Sequence, residues 1–130
     1  MSIIEKGKVY SANDIDKVIL INFPIDSAVK VYYFDQIKSS VRNELKEEID
    51  KMCNIHLRTI DWLGKIMVVS MYFFTQGTDM IIVNTAGLAN HSILFLQENL
   101  SIIAEKLNKV AIVTRGNITK VHMEGGIIVG

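Results

Sequence analysis

The sequence predicts a single α/β domain spanning residues 1–130, a mixed β-sheet with two main helices packed on it. Three observations lead there. A short β-rich run, Met80-Ile81-Ile82-Val83, meets a small-residue turn, Asn84-Thr85-Ala86-Gly87. A long helical stretch follows and leads into a second apolar run, Val110-Ala111-Ile112-Val113. Strand, helix and strand in that order form the unit that builds parallel sheets under helical cover. Finally, 130 residues suffice for one domain with a real core, and no low-complexity linker divides them.

Taken in order, the first fifteen residues are mixed and turn-rich, and no element is assigned there. Val18 to Phe23 reads as a strand, stopped by Pro24, which lacks the ladder donor. In Ala28 to Phe34, Val29, Val31 and Tyr33 alternate as a strand does, although the segment also suits the opening of the next helix. That helix runs from Asp35, its expected N-cap, to Met52. Ile37, Val41, Leu45, Ile49 and Met52 recur on one face, and the charge run around Glu44 to Lys51 reads as the solvated side.

Asn54 to Trp62 alternates only briefly. Lys65 to Phe74 is rich in Ile, Val, Tyr and Phe and predicts a buried strand. Thr75 to Asp79 then reads as a turn joining it to an antiparallel partner at Met80 to Val83. From Leu88 to Leu107 the period is helical again through Ile93, Leu96, Leu100, Ile103 and Leu107, with Ser92 or Asn90 as cap. Leu94, Phe95 and Ile102 widen that stripe, so the helix is expected to be largely buried. Val110 to Thr114 is a strand, Arg115-Gly116-Asn117 a turn, and Ile118 to Met123 a further strand. Gly125-Gly126 precedes a last apolar run, Ile127-Ile128-Val129, that needs a pairing partner.

Composition narrows the function classes. Fourteen basic and fourteen acidic residues cancel, whereas a nucleic-acid binder carries a basic excess or stripe, so no nucleic-acid partner is expected. The longest apolar-looking stretch, Ile66 to Phe74, falls far short of the roughly 20 residues of a spanning helix. No membrane partner is expected, and the lack of an apolar leader run near Met1 points to a cytoplasmic protein. A hydrophobic share of 49% with a mean hydropathy of +0.27 is high, which implies either a dense core or a partner-covered surface, the latter most simply by self-association into a homo-oligomer. The aromatic clusters at Tyr32 to Phe34 and Met71 to Phe74 are read as core and subunit interface. The lone Cys53 excludes an internal disulfide and reads as a small buried hydrophobe.

The strongest functional candidate is the stretch from Asn84 to Ser92, with Asn84, Thr85, Gly87, Asn90, His91 and Ser92 as binding residues and Arg115 from the next strand end. Small and polar residues between a strand's C-terminal end and a helix start leave backbone amides free for an anion or a partner, and sites of α/β sheets gather at that edge. The stretch lacks the spacing of a dinucleotide fingerprint and the Gly-Lys-Ser/Thr of a P-loop, so no cofactor is expected. His56, His91 and His122 are scattered without metal-ligand spacing, so no metal is expected either. His91 and Ser92 are adjacent and do not face each other on a helix, and no nucleophile elbow surrounds the serine.

The run from Met80 through Ala86-Gly87 to Leu96, continuing to Val110-Ala111-Ile112-Val113-Thr114, resembles the central strand–helix–strand of STAS-type domains. That family includes anti-sigma-factor antagonists and the cytoplasmic domains of sulfate transporters. Its Asp-Ser-Ser-Gly-like turn, in some members phosphorylated on serine, is not reproduced here, so Thr85 and Ser92 are the possible counterparts of a regulated hydroxyl. The resemblance implies a non-enzymatic regulatory or protein-binding module acting through residues 84–92. The alternative is a homo-oligomeric small-molecule enzyme or ligand-binding protein, its site assembled between subunits from His56, Arg58, His91 and Arg115.

Overall fold

The computed structural model describes residues 5–11, 33–114 and 126–129. The strands expected at Val18–Phe23 and Ile118–Met123 and the turn at Arg115–Asn117 lie outside the described residues, as does most of Ala28–Phe34. Residues 33–36 at the end of that last segment are helical.

The described elements are β1 (Lys8–Ser11), α1 (Ser39–Cys53), α2 (Trp62–Thr75), β2 (Met80–Asn84), α3 (Asn90–Leu107), β3 (Val110–Thr114) and β4 (Gly126–Val129). The strands form a sheet in the order β1-β3-β2-β4. All described pairings are parallel and in step, with Lys8 and Met80 both opposite Val110, and Met80 opposite Gly126. The α/β class and the β2–α3–β3 unit therefore stand as the sequence predicts. The mixed sheet does not hold among the described pairings, because the segment expected to supply the antiparallel strand is a helix.

That segment is α2. Its apolar residues fit either period, since Ile66 to Val69, Met71, Phe73 and Phe74 are all buried, and a helix buried nearly all round shows no stripe. Its ends decide the matter. The Asp61 carboxylate accepts the Gly64 N–H at 2.8 Å, an N-cap bond. At the other end Gly77 takes a left-handed φ of 92°. The Thr78 N–H donates to the Phe73 carbonyl at 3.1 Å and the Gly77 N–H to the Phe74 carbonyl at 3.4 Å, the crossed pair of a Schellman stop. Gln76-Gly77-Thr78 is thus a helix terminator and not a hairpin.

The helix expected at 35–52 is α1, shifted so that Lys38 and not Asp35 holds the N-cap position. α1 and α3 end on left-handed Asn54 and Asn108. β1 arises where the sequence shows only turn character. It is four residues long with no fully buried position, too brief for periodicity, and the Gly7 N–H anchors it to the Lys109 carbonyl at 2.7 Å.

Helix α2 packs on β2 and β4, and α3 packs on β1 and β3. Helix α1 rests on α2 and α3. One sheet face joins this helical core through Ile81, Val83, Ala111 and Val113, against Leu96, Leu100, Ile103 and Met67. Ile82 and Ile112, alternate in register, are also only 1% exposed but stand outside that cluster. β2 and β3 are therefore buried on both faces, which is why they read as continuous apolar runs. No described helix is long and apolar enough to cross a membrane.

Candidate functional site

The 84–92 stretch lies at the C-terminal edge of the parallel sheet, where β2 hands over to α3. Its underside is fixed by hydrogen bonds. The Asn84 Oδ1 accepts the Ala86 N–H at 2.9 Å, closing an Asx turn. Thr85, 1% exposed, gives both its N–H (2.8 Å) and its hydroxyl to the Thr114 carbonyl of β3. The Leu88 N–H returns to the Thr85 carbonyl at 3.1 Å, across a turn whose third residue, Gly87, has φ 87°. That positive φ at the third position is the requirement of a type II turn, and glycine meets it without strain.

Above this base the stretch is open. Ala86, Gly87, Ala89, Asn90 and His91 are exposed, and Ser92 is half-buried. Leu94, one turn into α3, is 57% exposed. The expectation that Ser92 or Asn90 caps the helix is not met. Ala89 holds the N-cap position, no side chain bonds there, and Asn90 and Ser92 are the first and third helical residues. Of the two hydroxyls singled out in the sequence, Thr85 is committed to the sheet and Ser92 is the one that reaches the surface. Arg115 lies outside the described residues.

Among the described members of the alternative site, His56 and Arg58 lie on a different connection from His91. His56 and Arg58 are exposed on the connection between α1 and α2. The end of α1 lies against the later turns of α3, where the Cys53 thiol donates to the Asn99 carbonyl at 3.7 Å and Lys106 Nζ to the Met52 carbonyl at 3.1 Å. His91 stands eight residues before Asn99, about 12 Å along the helix. Cys53 itself is buried as expected. Burial pushes its thiol upward, with Lys106 opposing and the Asp50 charge adding to the rise, so it is a packing residue and not a poised nucleophile.

The connection between α1 and α2 is itself well organised. Asp50 uses both carboxylate oxygens, one on Lys46 Nζ and one on the Leu57 N–H, each at 2.7 Å. Burial pushes its carboxyl up, but these two hydrogen bonds and the charges of Lys46 and His56 outweigh it and hold the group below the usual aspartate range. Beyond it the chain crosses the first turn of α2, touching it at Gly64.

That crossing creates a feature the sequence does not announce. Phe34, Ser39, Arg42, Asn43, Thr59, Ile60 and Lys65 line a groove of about 420 Å³. The Arg42 guanidinium lies 4.8 Å from the Phe34 ring centroid and Lys65 Nζ lies 5.5 Å from it. These residues come from three separated segments, so no spacing could have linked them. Among the described residues no group of three or more His, Cys, Asp or Glu is placed to hold a metal ion. No protein-family profile, curated protein or solved structure matches this chain.

Proposed function

We propose that the protein is a non-enzymatic regulatory and protein-binding module whose partner docks on the 84–92 turn and the first turn of α3. The observation that carries this is the contrast between the two sides of the turn. Underneath, Thr85 is tied to Thr114 and Asn84 to Ala86; outside, Asn90, His91 and Leu94 stand in solvent. A surface already held in one conformation loses little entropy on binding, and the exposed Leu94 side chain offers apolar area for a partner to bury. Ser92 supplies the regulatory element of the STAS-like reading. Phosphorylation there would add about −1.5 to −2 charges at a helix N-terminus and reset what the surface attracts.

The test is photo-crosslinking in cells, with a photoreactive residue at Asn90 and a control at Glu48 on α1. A discrete adduct from position 90, lost when Leu94→Glu is added, supports the proposal, and an adduct of twice the chain mass identifies the partner as a second copy. No adduct from position 90, or one that Leu94→Glu leaves unchanged, overturns it.

A further inference from the structure

The groove between α1 and the start of α2 carries an independent assignment. Two cations, Arg42 and Lys65, converge on one aromatic ring that is itself 7% exposed. Ser39, Asn43 and Thr59 add polar lining, Ile60 forms an apolar rim that is 78% exposed, and among the described residues no carboxylate lines the groove. Among the described residues Arg42 has one acidic partner, Asp35 at 3.9 Å and largely in solvent, and Lys65 has no ion pair. Like charges gathered at one ring repel, and an anion bound beside both offsets that repulsion.

The chemistry of the lining selects the anion. A guanidinium fork, an ammonium, two hydroxyls and an amide offer many donors with two formal positive charges, which suits an oxyanion of high charge and several terminal oxygens. A groove of about 420 Å³ has the size of a small-ligand site. The chain's balanced net charge of zero gives no long-range attraction for a polyanion. We propose that this groove binds the phosphate group of a small-molecule phosphomonoester, with Arg42 and Lys65 as the charged clamps and Ile60 against the organic part.

Calorimetric titration of the whole chain with phenyl phosphate, inorganic phosphate and a phosphoserine pentapeptide tests this. Saturable one-to-one binding of phenyl phosphate is expected. It weakens about tenfold in Lys65→Gln, for the loss of one charge-assisted hydrogen bond, and recovers in Lys65→Arg, with the far-ultraviolet dichroism of all three proteins the same. Equal affinity for inorganic phosphate upholds the anion site and makes free phosphate its source. No saturable binding at millimolar phenyl phosphate, equal binding by Lys65→Gln, or tighter binding of the phosphopeptide overturns the assignment. Arg42→Gln provides a second variant, expected to weaken binding likewise, and unchanged binding by it also overturns the assignment.

Discussion

Replacing Gly64 with alanine tests how the α1–α2 connection is seated. A Cβ on Gly64 would lie 1.8 Å from the Arg58 carbonyl oxygen, 2.6 Å from its carbon and 2.8 Å from the Thr59 Cα. Ordinary contact begins near 3.4 Å, so the 58–59 backbone must retreat by about 1.5 Å. Backbone cannot swing aside as a long side chain does. Overpacking of this kind costs about 1–3 kcal/mol. Displacing the Gly64 amide from Asp61 adds about 1 kcal/mol for the weakened cap. Alanine's better helix propensity returns at most about 1 kcal/mol. The net expectation is a loss of about 1–3 kcal/mol. With a urea slope of roughly 1.5 kcal/mol/M, the midpoint falls by roughly 0.7–2 M. Trp62, the single tryptophan, sits two residues away and 39% exposed, so its fluorescence reports the transition. A Gly64→Ala protein as stable as the parent, or more so, would show that propensity outweighs the crossing and refute the reasoning.

Two further outcomes follow from the same region. Asp50→Asn is expected to cost about 1–2 kcal/mol at neutral pH, since it removes a partly buried acceptor from Lys46 and weakens the bond to Leu57. Because the folded-state carboxyl lies below its ordinary value of about 3.9, its stabilisation is complete above that value and lost as pH falls through the lower one. The gap between parent and variant in urea melts must therefore close on acidification, and a gap constant from pH 7 down to strongly acid solution contradicts the assigned bonds. Cys53, buried with its thiol pushed upward, is expected to resist a maleimide or disulfide reagent at neutral pH until denaturant is added. Stoichiometric labelling within seconds in native buffer would show that α1 does not lie on α3 as described.

What the sequence made legible follows from where each signal lives. The stripes of α1 and α3 were readable because each helix has one wet side, and β2 and β3 because β-branched runs buried on both faces have few other readings. Lys65–Phe74 reads as a strand for the corresponding reason: a helix buried nearly all round has no wet side to give a period, and its β-branched and aromatic content resembles a strand. The deciding residues were at its ends, Asp61 three positions before Gly64 and Gly77 just past Gln76. The 84–92 turn was placed correctly at a sheet edge, but the commitment of Thr85 to Thr114 joins residues 29 positions apart. The Arg42–Lys65 groove was invisible on the same ground, since only the folded crossing at Gly64 brings Thr59 and Ile60 beside α1.

Among the described elements helix α1 is a second storey, packed mainly on other helices. Such a layer can lift while the floor beneath it stays whole, so the described elements have a natural order of loosening, α1 first. Amides of Leu45 and Ile49 would then exchange with solvent before those of Leu100 or the β3 strand. The phosphate groove straddles the seam, with Ser39, Arg42 and Asn43 on the upper storey and Lys65 on the lower. An occupant gripping both sides acts as a clasp, and it transmits its presence to the rest of the protein by slowing that lift.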